Sequence, residues 1–199
     1  MTARFHLFVR AAVCTLAVAS AAGATLSRQE ADAFRDKILL IAKQGEDEAR
    51  APRRTRVTEA ELNSWLAYHG KPLTPPGIGD PTITIVGQGK LAGRAVVDLD
   101  TVAKKKATGN VLDPWSFIGG KVPVTVSGVL HTKDGVARFE LESADVSGVP
   151  VPKTLLQELL SYYSRTPEHP QGIRLDDTFE LPANIKGIEV GQGQAVVVQ

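Results

Sequence analysis

The stretch KVPVTVSGVLHTKDGVARFELESADV, Lys121 to Val146, decides the fold. Val122, Val124 and Val126 alternate with Pro123, Thr125 and Ser127, and Phe139 and Leu141 alternate with Arg138, Glu140 and Glu142. A period of two places alternate side chains on opposite faces, so each half is a strand with one apolar face. Lys133-Asp134-Gly135 between them is a tight-turn signal. The segment therefore predicts an antiparallel hairpin.

Moving upstream, Thr82 to Val86 puts Ile83 and Ile85 on one side, and Ala95, Val97 and Leu99 alternate with Arg94, Val96, Asp98 and Asp100. Both runs predict further strands. Downstream, Pro150-Val151-Pro152 breaks the sheet, and Pro152 suits the first turn of a helix over Lys153 to Ser164. Leu155, Leu156, Leu159, Leu160, Tyr162 and Tyr163 make that helix apolar on more than one side. Extended structure is expected again over Ile173 to Leu181, Ile188 to Val190 and Ala195 to Val198, closing the sheet. Val86-Gly87-Gln88-Gly89 recurs as Val190-Gly191-Gln192-Gly193, which reads as one turn used twice.

Two helices precede the strands. Ser27 and Glu30 are spaced as a capping box, and Phe34, Ile38 and Ile41 follow as one stripe. Thr58 and Glu61 form a second capping box, with Val57 and Leu62 placed as a hydrophobic staple and Leu62, Trp65 and Leu66 on a shared face. Gly70 and Pro72 stop this helix after about three turns. Gln44 to Arg56 is polar and predicts an exposed loop. Hairpin connections around helices amount to an α+β domain with a mostly antiparallel sheet, packed on the C-terminal amphipathic helix and joined by the N-terminal helices.

Residues 1–24 carry Arg4 and Arg10 ahead of the small apolar run Ala11 to Ala22, followed by the small-x-small sites Ala19-Ser20-Ala21 and Ala22-Gly23-Ala24. This is the pattern of a secretory signal peptide, too short in its apolar run to span a bilayer. Cleavage between Ala21 and Ala24 would place the mature chain in the periplasm or medium. It would also remove Cys14, the one cysteine, and with it any disulfide or thiolate chemistry. We divide the remainder into an N-terminal helix and basic loop, 25–56, and a single domain, 57–199.

Composition excludes several functions. The net charge of +1 drops just below zero without the leader, unlike the strongly basic face of a nucleic-acid binder. No nucleophile elbow, zinc-protease helix or phosphate loop is present. Gly87 and Gly89 open a dinucleotide pattern that Ala92 leaves incomplete. His69, His131 and His169 lie in separate segments, and Asp98, Asp100, Asp176 and Asp177 read as solvated carboxylates. No catalytic residue, metal site or cofactor is therefore assigned.

Two features exceed what a plain core requires. The apolar C-terminal helix suggests a cavity beneath it, with Trp65, Trp115 and Phe117 as further lining. Arg50, Arg53, Arg54 and Arg56, together with lysines 104–106, suggest transient contact with anionic headgroups at a membrane surface. Val57-Thr58-Glu59-Ala60-Glu61-Leu62-Asn63 opening a helix, valine-rich strands, Val149-Pro150-Val151-Pro152 leading into Leu155 to Tyr163, and Phe179-Glu180-Leu181-Pro182 before the last strands come in a familiar order. Over residues 57–199 the chain resembles the exported LmeA-like phospholipid-binding proteins, themselves similar to the tubular lipid-binding superfamily.

That resemblance implies a bent sheet wrapped around the helix and a groove for acyl chains, without catalysis. The groove positions it implies are Val124, Val126, Phe139 and Leu141 on strands and Leu155, Leu159 and Tyr162 on the helix. The expected function is extracytoplasmic binding of a lipid or similar apolar molecule. The alternative is an envelope assembly factor that docks a protein through the Lys153 to Ser164 helix or an exposed strand edge.

Overall fold

The computed structural model describes residues 25–47, 51–104, 120–163, 165 and 170–199, with the side chains of 102–104, 159, 162 and 163 excepted. The elements run α1 (Arg28–Glu46), β1 (Arg54–Thr58), α2 (Glu59–Tyr68), β2 (Ile78–Gly87), β3 (Lys90–Asp98) and α3 (Leu99–Lys104). After these come β4 (Lys121–Lys133), β5 (Val136–Val146), β6 (Val149–Pro150), α4 (Lys153–Tyr163), β7 (Thr178–Glu180), β8 (Gly187–Gly191) and β9 (Gln194–Val198). The fold is α+β and its strand pairs are antiparallel.

The larger sheet has the order β2-β3-β4-β5-β6, with β7 also on β5. Its β4–β5 hairpin turns at Asp134 and Gly135, with φ of 49° and 84°. Two consecutive positive φ values are what a tight hairpin with the right-handed strand twist requires. A bulge between Ser127 and Gly128 shifts the register, yet Gly128 stays opposite Leu141 and Leu130 opposite Phe139. Across β2 to β5 the residues on one face are then continuous: Ile83, Gly93, Val126 and Ala144 form one row, and Ile85, Leu91, Gly128 and Leu141 the next. The opposite face carries Ser127 paired with Ser143 at 2.8 Å and Lys90 with Glu142 at 2.5 Å.

Beyond β7, the C-terminal strands β8 and β9 do not close this sheet. They form a second sheet of order β1-β9-β8, because Arg54 to Thr58 is a strand rather than the loop expected over Gln44 to Arg56. Thr55 and Val57 alternate inward with Arg54 and Arg56 outward, a period-two pattern that the arginines disguise as a charge run. α1 likewise continues to Glu46. The boundary drawn at residue 57 therefore falls inside β1. Val57, Val197 and Ile185 from this side and Ile85, Ala137 and Leu141 from the larger sheet are buried.

The repeated turns rivet the two sheets together. Gly89 N donates to Val190 O at 3.3 Å, and Gly193 N donates to Ile85 O at 2.8 Å. Thr132 Oγ1 adds a two-way bond to Ile188, accepting from its N at 2.9 Å and donating to its O at 3.2 Å. Repetition here meets a mutual need, since each hairpin end supplies the backbone groups that the other leaves unpaired.

α2 completes its capping box: Thr58 Oγ1 accepts from Glu61 N at 3.2 Å, and Thr58 N donates to Glu61 Oε2 at 2.9 Å. Only half of the expected box forms on α1. Ser27 Oγ accepts from Glu30 N, but Ser27 N donates to Ser64 Oγ of α2 at 3.1 Å, a tertiary bond that displaces the local one. On α1 the buried residue is Ala31, while Ile38 of the expected stripe is 36% exposed. Two further expectations are corrected. Leu99 starts α3 instead of ending β3, because Asp98 Oδ1 accepts from Thr101 N at 3.1 Å as an N-cap. Of Ile173 to Leu181, only Thr178 to Glu180 forms a strand, because Arg174 to Asp177 closes a turn in which Asp177 Oδ2 accepts from Arg174 N at 2.8 Å.

The outer edge of β2 is sealed by side chains of α2. Asn63 Nδ2 donates to Ile83 O at 2.7 Å, its Oδ1 accepts from Ile83 N at 2.8 Å, and Glu59 Oε2 accepts from Ile85 N at 2.7 Å. Asn63 thus stands in for a neighbouring strand, which guards the edge against foreign pairing. Asn63→Ala is expected to lower stability by about 2 kcal/mol, one per lost hydrogen bond. A urea midpoint reads that loss, and light scattering should show increased self-association.

Candidate functional site

Two cavities bear on function. The first lies between α4 and the outer edge of β5, with the segment 174–176 as a third wall, and measures about 520 Å³. Phe139, Leu141 and Leu175 give it apolar lining, and Lys153, Thr154, Gln157 and Glu158 give it the wall from α4. Residues 153, 154, 157 and 158 lie on one side of a helix, at spacings of four. α4 therefore presents a polar side to the cleft.

Gln157 holds this arrangement. Its Oε1 accepts from Leu175 N at 2.7 Å, and its Nε2 donates to Ser161 Oγ at 2.6 Å and Ile173 O at 3.3 Å. One side chain thereby fastens the third wall to the helix. At the rim, Arg138 pairs with Glu140 at 3.5 Å and Arg174 with Asp176 at 3.3 Å. The Asp176 carboxyl is held below the usual range by its own backbone N–H first and by Arg174 second. Lys153 and Glu158 have no ion-pair partner among the described residues.

Of the residues expected to line a groove, the structure brings Phe139 and Leu141 together at the cleft. Val124 and Val126 share their sheet face but do not line the cleft. Leu155 is 39% exposed and points elsewhere. The side chains of Leu159 and Tyr162, and all of Trp115, lie outside the described residues. Trp65 is not a groove residue. Its ring meets Phe34 edge-on at 5.7 Å and 81°, so it belongs to the α1–α2 interface, where an aromatic pair is a packing contact.

Two of the four expected arginines are spent in ion pairs. Arg53 Nη1 donates to Gln44 O at 3.2 Å and faces Asp47 at 3.5 Å. Arg54 makes a two-pronged pair with Glu189. That contact raises the Arg54 guanidinium and holds the Glu189 carboxyl low. Arg56 is exposed and has no ion-pair partner among the described residues, and Arg50 lies outside them.

No family model, curated protein or solved structure matches this chain. The site must speak through its own chemistry. His69 Nε2 meets Asp32 Oδ1 at 3.1 Å and His131 Nε2 meets Glu140 Oε2 at 2.9 Å. Both pairs are substantially exposed, where such contacts contribute little, and no hydroxyl bonds either imidazole among the described residues. No cluster of three metal-ligating side chains occurs among the described residues. No described helix is long and apolar enough to cross a membrane.

The second cavity, about 610 Å³, sits between α2 and the entry to β2. Sequence reasoning missed it. The signal was legible in Thr74-Pro75-Pro76-Gly77-Ile78-Gly79-Asp80-Pro81, where three prolines interrupt the run into a strand and forbid regular pairing.

Proposed function

We propose that this protein is a non-catalytic binding protein that works outside the cytoplasm and holds a lipid or similar apolar molecule in the cleft between α4 and β5. The carrying observation is the space itself: α4 stands away from β5, so Phe139 and Leu141 border an opening of about 520 Å³ instead of a packed helix. That volume lies within the range of small-molecule sites. An apolar chain on Phe139, Leu141 and Leu175 would gain about 0.8 kcal/mol per methylene removed from water. The charged rim, with Lys153 and Glu158 unpaired among the described residues, suits the polar end of an amphiphile. The resemblance to LmeA-like and tubular lipid-binding proteins leads to the same reading, and membrane contact through the arginines narrows to Arg56 among the described residues.

Native mass spectrometry of the protein purified from its own envelope is expected to show a co-purifying amphiphile. Thr154→Trp, placed on the exposed α4 wall, is expected to abolish that adduct without unfolding the chain. A clean unliganded mass that also ignores phospholipid vesicles would overturn the proposal.

One observation favours the assembly-factor reading. β7 pairs with Val136 to Arg138 and β6 with Asp145 and Val146, leaving the intervening edge of β5 without a strand partner among the described residues. Such an edge can accept an extended segment of another protein. Envelope crosslinking from Glu142 that captures a protein while native spectra stay lipid-free would select this alternative.

A further inference from the structure

We infer that the cavity between α2 and the entry to β2 is a second, separate binding site, and that it takes a short apolar peptide with free amino and carboxyl termini. It shares no lining residue with the α4–β5 cleft. Its body is apolar, with Leu66, Ile78, Pro75, Pro76 and Pro81 among the walls. Besides the hydroxyls of Thr74 and Thr82, three groups carry the polar chemistry: Lys71, Asp80 and the Asn63 amide.

These three groups match a peptide in kind. Asn63 spends one N–H and one oxygen lone pair on the backbone of Ile83; an amide has a second of each, which can meet a ligand peptide group. Lys71 and Asp80 have no ion-pair partner among the described residues, including each other. A cation and an anion left unpaired around one apolar cavity complement a ligand bearing both charges. Both side chains are exposed and hydrated; a ligand bearing both charges can engage the two of them, whereas an uncharged oil engages neither and a simple anion is opposed by Asp80.

The walls are also set in advance. Asp80 holds φ at 45° directly before Pro81, a conformation that the residue before proline resists. A register shift between Gly79 and Thr82 turns the chain at the same place. Ile78 N bonds to Pro75 O at 3.1 Å, Asp98 N to Gly77 O at 2.7 Å, and Thr74 Oγ1 to Gly70 O at 3.0 Å. A site held open by strain and cross-bonds avoids the ordering cost that a mobile loop would incur on binding.

Isothermal titration calorimetry with leucyl-phenylalanine, its N-acetyl derivative and its C-terminal amide tests the assignment. The full-length protein is expected to bind the free dipeptide and to bind each blocked form about tenfold more weakly, the scale of one lost charged hydrogen bond. Lys71→Ala should weaken the free dipeptide and erase its advantage over the amide. Asp80→Asn, which suits positive φ, should erase the advantage over the acetylated form. Thr154→Trp should change none of these values. Absence of binding, equal binding of free and blocked peptides, or loss of binding on filling the α4–β5 cleft would each overturn the inference. The last outcome would place the dipeptide in the other cavity, whereas lipid adducts report on that cavity alone.

Discussion

Glu61→Ala is expected to lower the stability of the protein by about 3 kcal/mol, the lower end for breaking a buried ion pair. Glu61 is 7% exposed. Its carboxylate accepts from Lys37 Nζ at 2.6 and 2.7 Å and from Thr58 N at 2.9 Å. Removing it leaves the partly buried Lys37 ammonium without its partner and breaks the side-chain half of the α2 capping box, while Thr58 Oγ1 keeps its bond from the residue 61 N–H. Glu61→Gln keeps the volume and an acceptor for Thr58, so it should lose less than alanine does. Urea midpoints of the three proteins at neutral pH check the order.

The same carboxylate sets an acid dependence. Burial pushes Glu61 up, but the Lys37 hydrogen bond, the Thr58 backbone N–H and the Lys37 charge outweigh it and hold the group below the usual 4.5. A carboxyl depressed in the folded state binds its proton more readily when unfolded. Its stabilisation is therefore present above the ordinary carboxylate pKa and is lost as pH falls through the lower folded value. Wild-type stability should decline between about pH 5 and pH 3 more steeply than that of Glu61→Gln. Parallel declines would show that Glu61 does not carry this dependence.

Gly128→Ala is expected to cost about 3 kcal/mol or more, at the upper end for forcing an atom into a filled site. An added Cβ would overlap the Glu140 carbonyl oxygen and lie 2.7 Å from Cζ and 2.9 Å from Cε1 of Phe139. The backbone oxygen cannot rotate away, so the β4–β5 ladder must open at its bulge. Phe139 also borders the α4–β5 cleft, so the variant should lose any lipid adduct along with stability. Gly191→Ala serves as the control, because its Cβ would meet nothing closer than 3.7 Å. Denaturant midpoints that moved equally for the two variants would contradict the steric account.

The helix starts and the central hairpin were readable because their causes are local. Thr58 and Glu61 are three residues apart, and Asp134-Gly135 adopts the two positive φ values that the turn needs. β1 escaped notice because its inward residues, Thr55 and Val57, were too few to stand out among Arg53, Arg54 and Arg56. The arginines pointed to a charged surface, but their partners Asp47 and Glu189 are recruited from α1's end and from β8. Trp65 looked available for a cavity until Phe34 met its ring.

By itself, the chain's alternation, caps and turns determined an α+β architecture with an antiparallel hairpin at its centre, since these depend on neighbours a few residues apart. Tertiary structure alone decided that the last strands join β1 in a second sheet, that Asn63 seals the edge of β2, and that α4 offers Gln157 and Thr154 to the cleft rather than Leu155. Each of those outcomes depends on backbone groups and charges brought together from distant segments. Periodicity records which side of an element is apolar, but not which partner arrives to meet it.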